Sequence, residues 1–142
     1  MDEDGGAYLY FGGTWGGQRK YPQSILDKEG QPLAAHGHDR CFFEEAWMHK
    51  YNGKYYFSYS TGDTHFLCYA IGDNPFSPFT YAGRILEPVL GWTTHHSIVE
   101  HMGKWYLFHH DASLSGGKNH LRCVKVRQIF YDKEGGIQLT PA

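Results

Sequence analysis

YNGKYYFSYSTG, residues 51–62, couples a two-residue turn to a strand whose aromatic side chains fall on both faces. Asn52-Gly53 is a strong hairpin signal, because a tight type I′ turn needs positive φ at both central positions and Asn and Gly tolerate it. The pattern recurs as DEDGGAYLYFGG from Asp2 and HMGKWYLFHHDA from His101, with the turn glycines Gly6, Gly53 and Gly103 lying 47 and then 50 residues apart. A period near 50 whose unit is a Gly turn plus a strand matches one blade of a β-propeller. Closed propellers take roughly four to eight blades. The chain accommodates about three, near 1–40, 41–90 and 91–142. The expected fold is therefore all-β, a partial β-propeller forming one partial domain of a larger protein.

The middle unit is the clearest. CFFEEAW (41–47) reads as a strand, KYYFSYS (54–60) as its antiparallel partner, HFLCYAI (65–71) as a third and FTYAGRIL (79–86) as a fourth. The pattern restarts with THHSIVE (94–100), turns at Met102-Gly103, returns as KWYLFHH (104–110) and continues through NHLRCVKV (119–126), with QIFY and GIQL beyond. Large side chains on both faces suit sheets packed between neighbouring blades, so an isolated end blade should expose apolar surface. AYLYFGG (7–13) reads as a strand of the first unit, whereas 14–40, with its Gly pairs and prolines, reads mostly as loop.

Composition supports a packed all-β domain. Hydrophobic residues make up 41% of the 142 and aromatics 17%, enough for a core. A net charge of -2 provides no basic stripe of the kind that neutralises phosphates, so neither nucleic acid nor an anionic membrane is an expected partner. No signal or membrane-spanning segment is legible, and with a truncated start expected, localisation stays open. Cys41, Cys68 and Cys123 are odd in number and lack CxxC spacing, which argues for buried free thiols rather than disulfides or a structural zinc.

Among groups that could carry chemistry, Glu44 leads. It lies beside Phe42, Phe43 and Trp47, and an apolar aromatic setting raises a carboxyl toward the range a general acid needs. Strict strand alternation would send Glu45 to the opposite face, excluding it as a catalytic partner. Counting back from Met102-Gly103 sets His95 opposite His110 and His96 opposite His109, two cross-strand pairs on opposite faces. Such pairs are either ordinary polar residues in a crowded sheet or an ion site at the channel; no HExxH spacing indicates catalytic zinc. Arg122, read within a strand, is equally a surface residue or a group at the inner end of a blade that binds hydroxyls.

The linked strings AYLYFGG, FFEEAWMHKYNGKYYFSYSTGDTH, GDNPFSPFTYAGRIL, GWTTHHSIVEHMGKWYLFHHDASLSGG and HLRCVKV, in that order, resemble the C-terminal part of family 43 glycoside hydrolases, the β-xylosidase and α-L-arabinofuranosidase group. The resemblance implies a five-bladed propeller and an inverting mechanism in which one carboxyl protonates the leaving oxygen and another activates water. Glu44 matches the family's general acid. The general base belongs to the first blade, and an Asp that tunes the acid lies just before the position of Asp2; neither is in this chain. His95 matches a histidine that holds an ion, commonly calcium, through water, with His96 the neighbour most easily confused with it. Arg122 matches an arginine that reaches the sugar in related enzymes, and Trp92, read from its residue type, is a candidate aromatic contact for a bound sugar. No organic cofactor is expected.

The function so implied is hydrolysis of terminal xylose or arabinose units on xylan- or arabinan-derived oligosaccharides, with little activity from this chain alone. Two alternatives stand beside it: a non-catalytic sugar-binding propeller, in which aromatics and Arg122 hold a ligand without cleaving it, and an inactive truncated product. Exposed blade edges offer a route to self-association.

Overall fold

The computed structural model describes residues 5–7, 25–33, 39–76, 78–92 and 94–139. Most of the first unit, including the strand expected at AYLYFGG, lies outside the described residues. The described chain is built from β1 (Ile25–Leu26), β2 (Glu44–Tyr51), β3 (Lys54–Ser60), β4 (Leu67–Gly72), β5 (Phe79–Leu86), β6 (His96–His101), β7 (Lys104–Asp111), β8 (Cys123–Tyr131) and β9 (Ile137–Leu139), with one 3-10 turn at Ser113–Ser115.

Strands β2 to β5 pair antiparallel in sequence order, and β1 adds to the outer edge of this first sheet, parallel to β5. Strands β6 to β9 form a second antiparallel sheet, again in sequence order. The two tight hairpins follow from their turn residues: Asn52 and Gly53 have φ of 47° and 76°, Met102 and Gly103 of 53° and 75°. These are the left-handed conformations whose twist matches that of the flanking strands.

One core lies between the sheets. Tyr56, Leu67, Tyr69, Ile85 and Leu86 of the first meet Ile98, Leu107, Ile129 and Ile137 of the second. Hydrogen bonds cross the same seam: the Trp47 indole donates to Ile98 O (3.0 Å), the Tyr56 hydroxyl to Gly135 O (2.9 Å), and Ile137 N–H to the Tyr69 hydroxyl oxygen (3.0 Å). A second core covers the other face of the first sheet, where Phe57, Tyr59, Cys68 and Phe79 pack with Ile25 and Leu33. The far face of the second sheet has no such cover among the described residues. Val124, Val126 and Phe130 are 74%, 53% and 47% exposed, which is the apolar surface expected of an end blade.

Several boundaries differ from the sequence reading. β2 starts at Glu44 rather than Cys41 and runs on to Tyr51; Phe43 still donates its N–H to Ser60 O, but the chain enters the sheet through a bulge. β8 starts at Cys123 rather than Asn119, because residues 118–121 close a turn (Leu121 N–H to Lys118 O). Arg122 therefore precedes the strand. The three cysteines are free, but only Cys68 is buried; Cys41 and Cys123 are half-buried.

Candidate active site

The beginnings of β2, β4, β6 and β8 and the ends of β3, β5 and β7 lie together in the two antiparallel meanders, so the loops β3–β4, β5–β6 and β7–β8 gather at one end. Every residue singled out from sequence falls there. Glu44 opens β2, Trp92 and His95 lie in the β5–β6 loop, and Arg122 ends the β7–β8 loop.

The bulge decides how the carboxyls are presented. Glu44 pairs with Ser60 and Trp47 with Ser58, so three residues on β2 span the distance of two on β3. Directly paired residues share a face, and Glu44 thus stands on the same face as Trp47. Glu45 adopts φ 67° within the bulge and reaches the same side, where its Oε1 lies 3.0 Å from His96 Nδ1. The expectation that Glu44 and Glu45 point to opposite faces is overturned, because alternation holds only where the ladder is regular.

Glu45 and His96 form the buried centre of the site. The His96 side chain is 0% exposed and that of Glu45 5%. Burial, then the nearby charge of Glu44, pushes the Glu45 carboxyl up to about 9, with Arg122 opposing. Burial, with the neighbouring His49, His95 and His109, pushes His96 down to about 3. A neutral acid facing a neutral imidazole results, the state favoured where charge is costly to desolvate. His96 Nε2 continues to Ser58 Oγ at 2.7 Å. The register His96↔His109 is the one counted from sequence, and both ring nitrogens of His109 are buried with no hydrogen-bond partner among the described residues.

His95 occupies different ground. It is exposed, its ring stacks on that of His110 (centroids 5.8 Å apart, 18° between planes), and its backbone N–H donates to His110 Nε2 at 2.9 Å. That nitrogen therefore carries no proton, and Arg122 Nη1 approaches it at 3.4 Å. The Arg122 Nε–H donates to Asn119 O at 2.7 Å, fixing the guanidinium near the carboxyls. Trp92 is 53% exposed and leans on His65 (centroids 4.6 Å, 59°), joining two of the clustered loops.

Calcium takes about six to eight hard oxygen ligands. Among the described residues no group of three or more His, Cys, Asp or Glu converges on a point. Glu45 is held protonated against His96, and His95 offers nitrogen. These residues alone do not fit a calcium ion. The residues that sequence reasoning missed are Glu45 and Ser58; nothing in the local pattern announces a bulge, and the pairing to His96 spans 51 residues.

The chain is 54% identical to xylosidase/arabinosidase 43A of Humicola insolens and 51% identical to a xylosidase/arabinosidase of Bacteroides ovatus, each match covering 96% of this chain and 56% and 54% of the relative. Among solved structures, RS223 β-xylosidase superposes with a TM-score of 0.90 at 49% identity, over 96% of this chain and 55% of that one. A β-xylosidase/α-arabinofuranosidase of family 43 from a compost metagenome, solved with xylotriose in a calcium-free form, gives 0.89 at 48% identity, again over 96% and 55%. No protein-family model matches the chain. The chain spans about half the length of the curated relatives it matches. Over that span, its sequence and its partial propeller fold are those of the family 43 glycoside hydrolases of the xylosidase/arabinosidase type.

Proposed function

We propose that this chain is part of an inverting exo-hydrolase that removes terminal xylose or arabinose units from xylan- or arabinan-derived oligosaccharides, with Glu44 as general acid. The observation that carries the reading is the gathering of Glu44, Arg122 and Trp92 at one end of two sheets whose sequence is about half identical to xylosidase/arabinosidases. In this reading Trp92 offers an apolar face to the sugar ring and Arg122 binds hydroxyls while its charge offsets that of the carboxyls. Glu44 donates its proton to the leaving glycosidic oxygen. The carboxylate that activates water stands about 6.5 to 9.5 Å away in inverting enzymes, and it is assigned to the part of the relatives that this chain does not span. A water-held calcium near His95 belongs to that whole protein, and no step is assigned to it.

The test compares the 142-residue chain with the same chain joined to the remaining half of a close relative, on xylotriose and on an arabinofuranoside. The joined protein should release pentose with inversion, and Glu44→Gln should lower the rate by about 10² to 10⁴. The chain alone should release none above background; release that disappears in Glu44→Gln would overturn that part. Binding without hydrolysis by the joined protein would favour a non-catalytic sugar-binding propeller.

A further inference from the structure

Glu45 carries two separate costs at one position. Its φ of 67° lies in the left-handed region, where any Cβ is strained and glycine is not. Its side chain is 5% exposed, and burying a carboxyl is unfavourable unless its oxygens find partners. Oε1 does, on His96; Oε2 has no hydrogen-bond partner among the described residues. Its partner His96 is a fully buried imidazole satisfied at both nitrogens, by Glu45 and by Ser58. A residue kept for stability does not accumulate such costs. Strained backbone and unsatisfied polar atoms concentrate where a site needs fixed geometry.

The connections show what is fixed. His96, the first residue of β6, joins Glu45 in the bulge of β2 to Ser58 Oγ on β3, and Ser58 pairs with Trp47, whose indole reaches Ile98 O on β6. We propose that Glu45 is a positioning residue: through His96 and Ser58 it locks the bulge that presents Glu44 and sets the placement of that carboxyl against the Arg122 side of the site. The importance of Glu44 rests on the reading of Glu44 as the acid. The charged and titratable groups around the pair are Glu44 and His49 on β2, His95 before β6, His109 on β7 and Arg122 before β8. Because Glu45 is held neutral, glutamine is its close isostere.

The test uses the 142-residue chain and its Glu45→Gln and Glu45→Gly variants, labelled with ¹³C-glutamate so that the chemical shift of the Glu44 carboxyl carbon is read at one fixed pH. The Glu44 carboxyl resonance should stay in place in Glu45→Gln and move in Glu45→Gly, where water replaces the side chain that fixes the bulge. The glycine variant loses its contact to His96 Nδ1 together with the backbone strain, two opposing effects, so its melting temperature should stay close to that of the parent. A Glu44 resonance alike in all three chains overturns the proposal. So does a fall in melting temperature in both variants, because Glu45 would then serve the fold alone. Xylotriose binding on the same samples separates the two readings. Binding weakened about tenfold or more by Glu45→Gly and restored in Glu45→Gln supports positioning of the sugar site. A parent that does not bind xylotriose, while its Glu44 resonance still moves in Glu45→Gly, rejects the sugar reading and supports this one.

Discussion

The two sheets share a strand order and a turn type yet differ in what covers them. The first is packed on both faces, against the second sheet on one side and against Ile25 and Leu33 on the other. The second is packed on one face, and Val124, Val126 and Phe130 stand in the open on the other. A blade is thus a unit of hydrogen bonding but not of burial, and its stability is set at the seams with its neighbours. Among the described residues, the candidate site sits at one end of the seam between the two sheets, so site and core depend on the same contact.

The sharpest way to break the comparison is to weaken that seam and then the open face with like substitutions. Leu107→Ala, at a 0% exposed position between the sheets, should cost about 2 to 5 kcal/mol. Val126→Ala on the open face should change stability by no more than about 0.5 kcal/mol. Urea unfolding of both variants decides the matter, and equal effects would mean that the open face is covered in solution, by self-association for instance.

Acid should act on the seam next. His49 is stacked on Tyr56 and hydrogen-bonded to the Tyr131 hydroxyl at 2.7 Å, and burial pushes its pKa down to about 3. The unfolded histidine takes up a proton below about 6.5 while the folded one does not, so stability is intact above 6.5 and lost as pH falls from there toward 3. The loss is about 1.4 kcal/mol per pH unit, or between 2 and 3 kcal/mol at about pH 4.5. Glu45 acts with the opposite sign: its folded pKa is raised to about 9, so its contribution is fully present below the unfolded value of 4.5 and is lost as pH rises from there toward 9. Between pH 4.5 and 6.5 the slopes of His49 and Glu45 cancel. His96, pushed down to about 3 by burial, adds to the acid-side loss, so melting curves should peak near pH 6.5 and fall above it. His49→Gln should flatten the acid side, and Glu45→Gln the alkaline side.

The two hairpins provide a finer contrast. Asn52 and Met102 hold the same left-handed turn position, at φ 47° and 53°, and Met102 is 87% exposed. Asparagine tolerates this conformation and methionine does not, so Met102→Asn should stabilise by about 0.5 to 1 kcal/mol. Thermal unfolding of the single variant tests it; no gain would mean that Met102 contributes packing its exposure does not reveal. The smallest effect expected is from chelation. With no three-ligand cluster among the described residues, EDTA should leave the melting temperature of this chain unchanged, and a shift of several degrees would point to an ion held by this chain.

Much of this was legible in the sequence. Asn52-Gly53 and Met102-Gly103 are the turns they were read to be, KYYFSYS and FTYAGRIL are strands with the expected bounds, and counting back from Met102-Gly103 set His96 opposite His109. Other readings failed where alternation was extrapolated through an irregularity. The bulge between Glu44 and Trp47 turned Glu45 inward, and the turn at residues 118–121 took Arg122 out of the strand. The buried, hydrogen-bonded position of His96 is a separate finding from the reading of His95, which stands exposed at the mouth of the site.

From the sequence alone came the all-β class, the blade period, the hairpin turns and the choice of Glu44, Arg122 and Trp92 as residues worth following. Turn chemistry and side-chain periodicity are local, written within a few residues of where they act. Only the tertiary structure decided that Glu45 meets His96 and that Glu44 shares a face with Trp47. Those outcomes depend on contacts between residues far apart in the chain and on a single extra residue in a strand, and the free energy that selects them comes from desolvation and packing between sheets, which no local pattern records.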